Sequence, residues 1–117
     1  TRVRVRQERE RISGSRFPIY DLYDMGAEYY VEDISEKGLQ ILGINTNAGE
    51  SRTFVVQGYA FDDIQSFSFD AESRWAKAVS GEGLARAGFE ITDISEEGLR
   101  ELRALLSKLA PGYGSAR

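Results

Sequence analysis

The segment Asp33-Ile-Ser-Glu-Lys-Gly38 gathers a carboxylate, a hydroxyl and a glycine within six residues. An ionised aspartate only accepts hydrogen bonds, which suits it to a paired N–H edge such as the N1–H and N2–H₂ of guanine. The hydroxyl of Ser35 can add a bond, and Gly38 lets a ligand come close to the backbone. The same letters also describe a plain hairpin turn. There, Asp33 and Ser35 would bond nearby amides and Gly38 would supply a positive φ. A near-copy, Asp93-Ile-Ser-Glu-Glu-Gly98, recurs later, and each copy is followed by leucine. The flanks differ. Leu39-Gln-Ile-Leu42 continues in a β pattern, whereas Leu99 opens a leucine stripe of helical spacing. The second copy is therefore expected to cap a helix, with Ser95 as N-cap.

A second group able to do chemistry lies upstream. Residues 1–16 carry six arginines (Arg2, Arg4, Arg6, Arg9, Arg11, Arg16) against Glu8 and Glu10, a net charge of +4, while the remainder carries −8. A basic arm on an acidic body points to a local anionic partner rather than a broad nucleic-acid surface. The alternative is a solvated tail, or one paired with its own acidic domain. The chain has no cysteine and no histidine. That removes disulfides, thiolate nucleophiles, Ser-His-Asp hydrolysis and the commonest zinc, iron and copper ligands. Glu32-Asp33 and Asp62-Asp63 could in principle hold Mg²⁺ or act as acid and base. With no third ligand and no nucleotide loop, they read as solvated turn carboxylates. No catalytic residue, metal or cofactor is expected, and the chain reads as a binding domain rather than an enzyme.

The elements that must position these groups are short strands. With 117 residues and 41% hydrophobic content, the chain is sized for one domain with a modest core. Strand patterns run over Phe17–Tyr23, Tyr29–Ile34 after a Met25-Gly26 turn, Leu39–Ile44, Phe54–Tyr59, Ile64–Phe69, Arg74–Val79 and Ala87–Ile91. Leu99, Leu102, Leu105, Leu106 and Leu109 then form an amphipathic stripe, led by Glu96 and Glu97 and ended by Pro111-Gly112. Six or seven strands followed by one helix is the pattern of a small antiparallel barrel or sandwich covered by a terminal helix. Residues 1–15 are expected to form a flexible basic arm jointed at Ser13-Gly14-Ser15, 16–110 the domain, and 111–117 a tail. No apolar run is long enough to span a membrane and no leader pattern opens the chain. A soluble, cytoplasmic setting is expected. Because the chain opens on Thr1, it is expected to be trimmed or part of a longer protein.

The spacing Asp-x-Ser-x-x-Gly at Asp33, Ser35 and Gly38 resembles the second signature of the PilZ family. The resemblance continues through Trp75-Ala-Lys-Ala-Val79, the Gly-containing break, Ala87-Gly-Phe-Glu-Ile91 and the Thr92-Asp-Ile-Ser95 entry to the leucine-striped helix. It covers Arg16 to about Leu109. It implies an all-β fold: a small six-stranded antiparallel split barrel with a C-terminal helix. Many members bind the bacterial second messenger cyclic di-GMP. The family's first signature is Arg-x-x-x-Arg before the first strand, and here the chain departs from it. Arg16 stands at the expected place, but Ile12 occupies the position four residues earlier. Arg11 with Arg16 is the first choice of ligand clamp, Arg9 a substitute, and Arg2 with Arg6, which keep the formal spacing, come second.

Two functions follow from the resemblance. The first is a cyclic di-GMP receptor that closes its basic arm on Asp33, Ser35 and Gly38 and so signals to an attached domain or a partner in motility, pilus or exopolysaccharide control. The second is a divergent interaction module that binds no nucleotide and works through exposed aromatics among Tyr20, Tyr23, Tyr29, Tyr30 and Tyr59. A nucleic-acid partner is disfavoured by the sequence pI near 4.9, and no membrane partner is expected.

Overall fold

A computed structural model of the chain describes residues 12–58, 61, 63–77 and 85–109, with side chains from Phe17 onward. Six antiparallel strands precede one helix: β1 (Ile12–Asp21), β2 (Asp24–Ile34), β3 (Gly38–Leu42), β4 (Ser51–Val56), β5 (Phe67–Lys77), β6 (Arg86–Asp93) and α1 (Glu96–Leu109). They close a barrel in the order β1-β2-β3-β6-β5-β4. The seam between β1 and β4 is short, with Tyr20 opposite Val55 and Asp21 opposite Phe54. The architecture expected from the sequence is the one observed.

Alternation fills the interior. Ile19, Val31, Leu39, Ile41, Phe54, Val56, Phe69 and Phe89 point inward and are almost wholly buried. Phe54 meets Phe89 edge to face with ring centroids 5.0 Å apart. The helix packs on β5 and β1 and adds Leu102, Leu105 and Leu106 to the same core. It starts where the leucine stripe required. The Ser95 hydroxyl accepts the Gly98 amide at 2.9 Å, and the Ser95 carbonyl accepts that of Leu99 at 2.8 Å.

Several boundaries differ from the sequence reading: β3 ends at Leu42 rather than Ile44, and β4 runs Ser51–Val56 rather than Phe54–Tyr59. Strand β1 already begins at Ile12, so Ser13-Gly14-Ser15, expected as a joint, lies within it. The first hairpin turns at Leu22-Tyr23 rather than Met25-Gly26, because the buried Asp21 carboxylate accepts the Tyr23 amide at 2.9 Å and bends the chain early. Residues 64–69 and 74–79, expected as two strands, contribute to the single strand β5. Their polar link stays extended because Ala71 and Ser73 turn inward and are buried, and an irregularity between Ser73 and Trp75 absorbs the change of phase. Among the described residues, no helix is long and apolar enough to cross a membrane. The expected roles of Tyr59, Asp62 and Pro111-Gly112 fall outside the described residues.

Candidate functional site

The turn Asp33–Gly38 is built by its serine. The Ser35 hydroxyl accepts the amides of Lys37 at 3.1 Å and Gly38 at 3.3 Å, while the Ser35 amide donates to the Gly38 carbonyl at 2.8 Å. Its own proton has only a 3.4 Å contact to that carbonyl, so it can be redirected to a ligand. Gly38 does not serve by a positive φ, as a plain hairpin would require; among the described glycines only Gly43 and Gly49 have one. It serves by closeness. A Cβ at Gly38 would stand 2.2 Å from the Phe89 carbonyl oxygen on β6. Glu36, between serine and glycine, turns its carboxylate inward, with a side chain only 5% exposed, and receives Arg103 of α1 at 3.2 Å. The turn is thereby tied to the helix.

The barrel register then lays a row across four strands. Asp33 on β2 faces Gln40 on β3, Gln40 faces Gly88 on β6, and Gly88 faces Trp75 on β5. Residues opposite one another share a face, so the row lies on the outer wall. The Trp75 indole lies so close over Gly88 that a Cβ there would meet Nε1 at 2.1 Å, yet the residue is 41% exposed. From Asp33 to Gly88 is two strand spacings, about 10 Å. Glu32, in the irregularity before Asp33, braces the middle of the row. It accepts Gln40 Nε2 at 2.9 Å and Arg86 Nε at 2.8 Å. The wall thus offers a carboxylate, an amide, a guanidinium and an indole face side by side.

The basic segment arrives beside this row. Ile12 faces Ile34 and Ser13 faces Asp33, and the register then slips before Phe17 meets Val31. The backbone of Arg16 lies in that slip, between the partners of Asp33 and Val31. Of the residues singled out in the sequence, Asp33, Ser35 and Gly38 thus share one turn, and the Arg16 backbone runs on the strand paired with β2. Arg2, Arg6, Arg9 and Arg11 lie outside the described residues. Gln40, Arg86 and the exposed role of Trp75 were not read from the sequence. One signal was present, since a glycine inside a strand marks close approach by another group, and Gly88 is such a glycine. Among the described residues, no three potential metal ligands cluster.

Known structures share this architecture. The chain superposes on the Bacillus subtilis inhibitor of motility (MotI/DgrA) with a TM-score of 0.66 at 15% identity, covering 93% of this chain and 51% of that one. It superposes on the PilZ domain of YcgR from Escherichia coli, solved with c-di-GMP, with a TM-score of 0.59 at 21% identity, covering 85% of this chain and 87% of that one. The fold is that of a PilZ domain. The chain spans about half the length of the Bacillus protein. No family model and no curated protein matches the sequence.

Proposed function

We propose that this domain is a bacterial receptor for cyclic di-GMP, held between the basic N-terminal segment and the outer wall at Asp33, Ser35 and Gly38. The observation that carries the reading is the row Asp33–Gln40–Gly88–Trp75, with Arg16 entering beside it. Asp33 would take the N–H edge of a guanine, and Trp75 would offer its ring face to a base. Arg11 and Arg16 would grip phosphate through charge-assisted forks, with Arg9, or Arg2 and Arg6, in reserve. Closure of the arm on the ligand is the signal passed to a partner or an attached domain. The role is binding rather than catalysis, without metal or cofactor.

The second reading is a nucleotide-independent interaction module. It is favoured by Ser35, whose hydroxyl already serves the turn, and by the displaced arginine spacing. Calorimetry separates the two. The receptor reading predicts binding of cyclic di-GMP with Kd in the micromolar range, about −8 kcal/mol. It also predicts at least about tenfold weakening in Arg16→Ala and Asp33→Ala, a loss of about 1.4 kcal/mol or more. No heat with the intact chain at tens of micromolar ligand would reject the receptor and leave the interaction module.

A further inference from the structure

The hairpin joining β1 to β2 displays what a turn ordinarily hides. Leu22, Tyr23 and Met25 are 41%, 83% and 45% exposed, and they fall within four consecutive residues. Backbone geometry does not demand them, since neither Leu22 nor Tyr23 has a positive φ and polar turn formers would fit equally. The turn is also rigid. Asp21, itself buried, accepts both the Tyr23 amide at 2.9 Å and Arg52 Nη1 at 2.9 Å, and Leu22 N–H donates to the Thr53 carbonyl at 2.8 Å. Apolar side chains held out on an ordered backbone lose little freedom when a partner covers them.

Behind Tyr23 opens a polar cleft of about 400 Å³, bordered also by Ser51, Arg52, Thr53, Asp70 and Thr92; the Arg52 charge is already taken by Asp21 and Glu50. Asp70 accepts the Thr53 hydroxyl at 2.7 Å and stands directly opposite Asp93 in the sheet, a like-charge pair that costs stability unless a cation answers it. Among the described residues, neither carboxylate has an ion pair, and Asp24 at the tip has none either. We propose that this end of the barrel docks a protein segment carrying a lysine or arginine next to a large apolar side chain. The apolar group covers Leu22, Tyr23 and Met25, and the cation enters the cleft toward Asp70 and Asp93. The surface lies about 30 Å along β2 from the Asp33 turn and works whether or not nucleotide binds.

The test selects a random-peptide phage library on the immobilised chain, then measures synthetic copies of the enriched peptides by fluorescence anisotropy. Enriched peptides should carry a basic residue beside Leu, Ile, Phe or Trp. Their affinity should fall at least about tenfold in Leu22→Ser/Tyr23→Ser/Met25→Ser, and should lose much of its salt dependence in Asp70→Asn/Asp93→Asn. Thermal melts check that the variants fold, and Tyr23→Ser alone, at the most exposed position, serves if the triple variant does not. The proposal is overturned if nothing is enriched, if the peptides lack basic residues, or if they bind the tip variants within twofold. It is equally overturned if sedimentation shows a dimer that the tip substitutions dissolve, since that would give the surface to a second copy.

Discussion

Gly38 and Gly98 close the two copies of one six-residue motif, and the same substitution should affect them differently. At Gly38 an added Cβ would sit 2.2 Å from the Phe89 carbonyl oxygen and 3.3 Å from Glu90 Cα. These are backbone atoms of a paired strand, and the shortfall from ordinary contact is about 1 Å. Opening β3 from β6 by that amount costs about 1–3 kcal/mol, offset by less than about 1 kcal/mol from a stiffer unfolded chain. At Gly98 the added Cβ would meet Ile94 Cγ1 at 2.9 Å and Ser95 Oγ at 3.2 Å. Those side-chain atoms can give way, and alanine gains about 1 kcal/mol over glycine inside a helix. Gly38→Ala should therefore lower stability by about 1–2 kcal/mol, and Gly98→Ala should stay within about 0.5 kcal/mol of the parent. Urea denaturation with an unchanged m-value reads both. If Gly38→Ala is as stable as the parent, or Gly98→Ala the more damaging, the assignment of Gly38 to close strand approach is wrong.

Other outcomes follow from single contacts. Asp21→Ala leaves the buried end of Arg52 and the Tyr23 amide without their acceptor, and should cost about 2–4 kcal/mol by chemical denaturation. Burial works against the Arg52 charge, but the hydrogen bonds to Asp21 and Tyr29 hold its pKa above the ordinary value, so the guanidinium stays charged wherever the fold persists. Arg103→Ala should cost only about 1 kcal/mol, since Arg103 is half exposed and both it and Glu36 hold further contacts. Hydrogen exchange in that variant should rise in the Asp33–Gly38 turn as well as in α1. Gly88→Ala should push the indole off the wall, shift Trp75 emission to the red and weaken cyclic di-GMP binding together with it.

The barrel and its helix were legible because their signals are local. Period-two alternation set the strands, and Ser95, the acidic first turn and the leucine stripe set α1. The two-strand reading of β5 failed because Ala71 and Ser73 are too small and polar to signal an inward face, and their burial comes from the closed barrel rather than from their own hydrophobicity. The Met25-Gly26 turn failed for a related reason: Arg52, thirty-one residues away, holds the Asp21 carboxylate that bends the chain. In the candidate site, Asp33, Ser35 and Gly38 could be named from spacing. Gln40, Arg86 and Trp75 could not, because only the β2-β3-β6-β5 order brings them into line. The positive φ that the plain-hairpin reading gave Gly38 failed on the same grounds, since the close neighbour Phe89 is distant in sequence.

The central claim is that cyclic di-GMP lands on the outer wall along the Asp33–Trp75 row. Amide and indole chemical-shift mapping during titration with the dinucleotide tests it most directly. The account predicts that the largest shifts fall on Asp33–Gly38, Gln40, Gly88 and the Trp75 indole N–H, with Leu22–Met25 unmoved. Saturating ligand that shifts none of these, or that shifts a different face of the barrel, would contradict it.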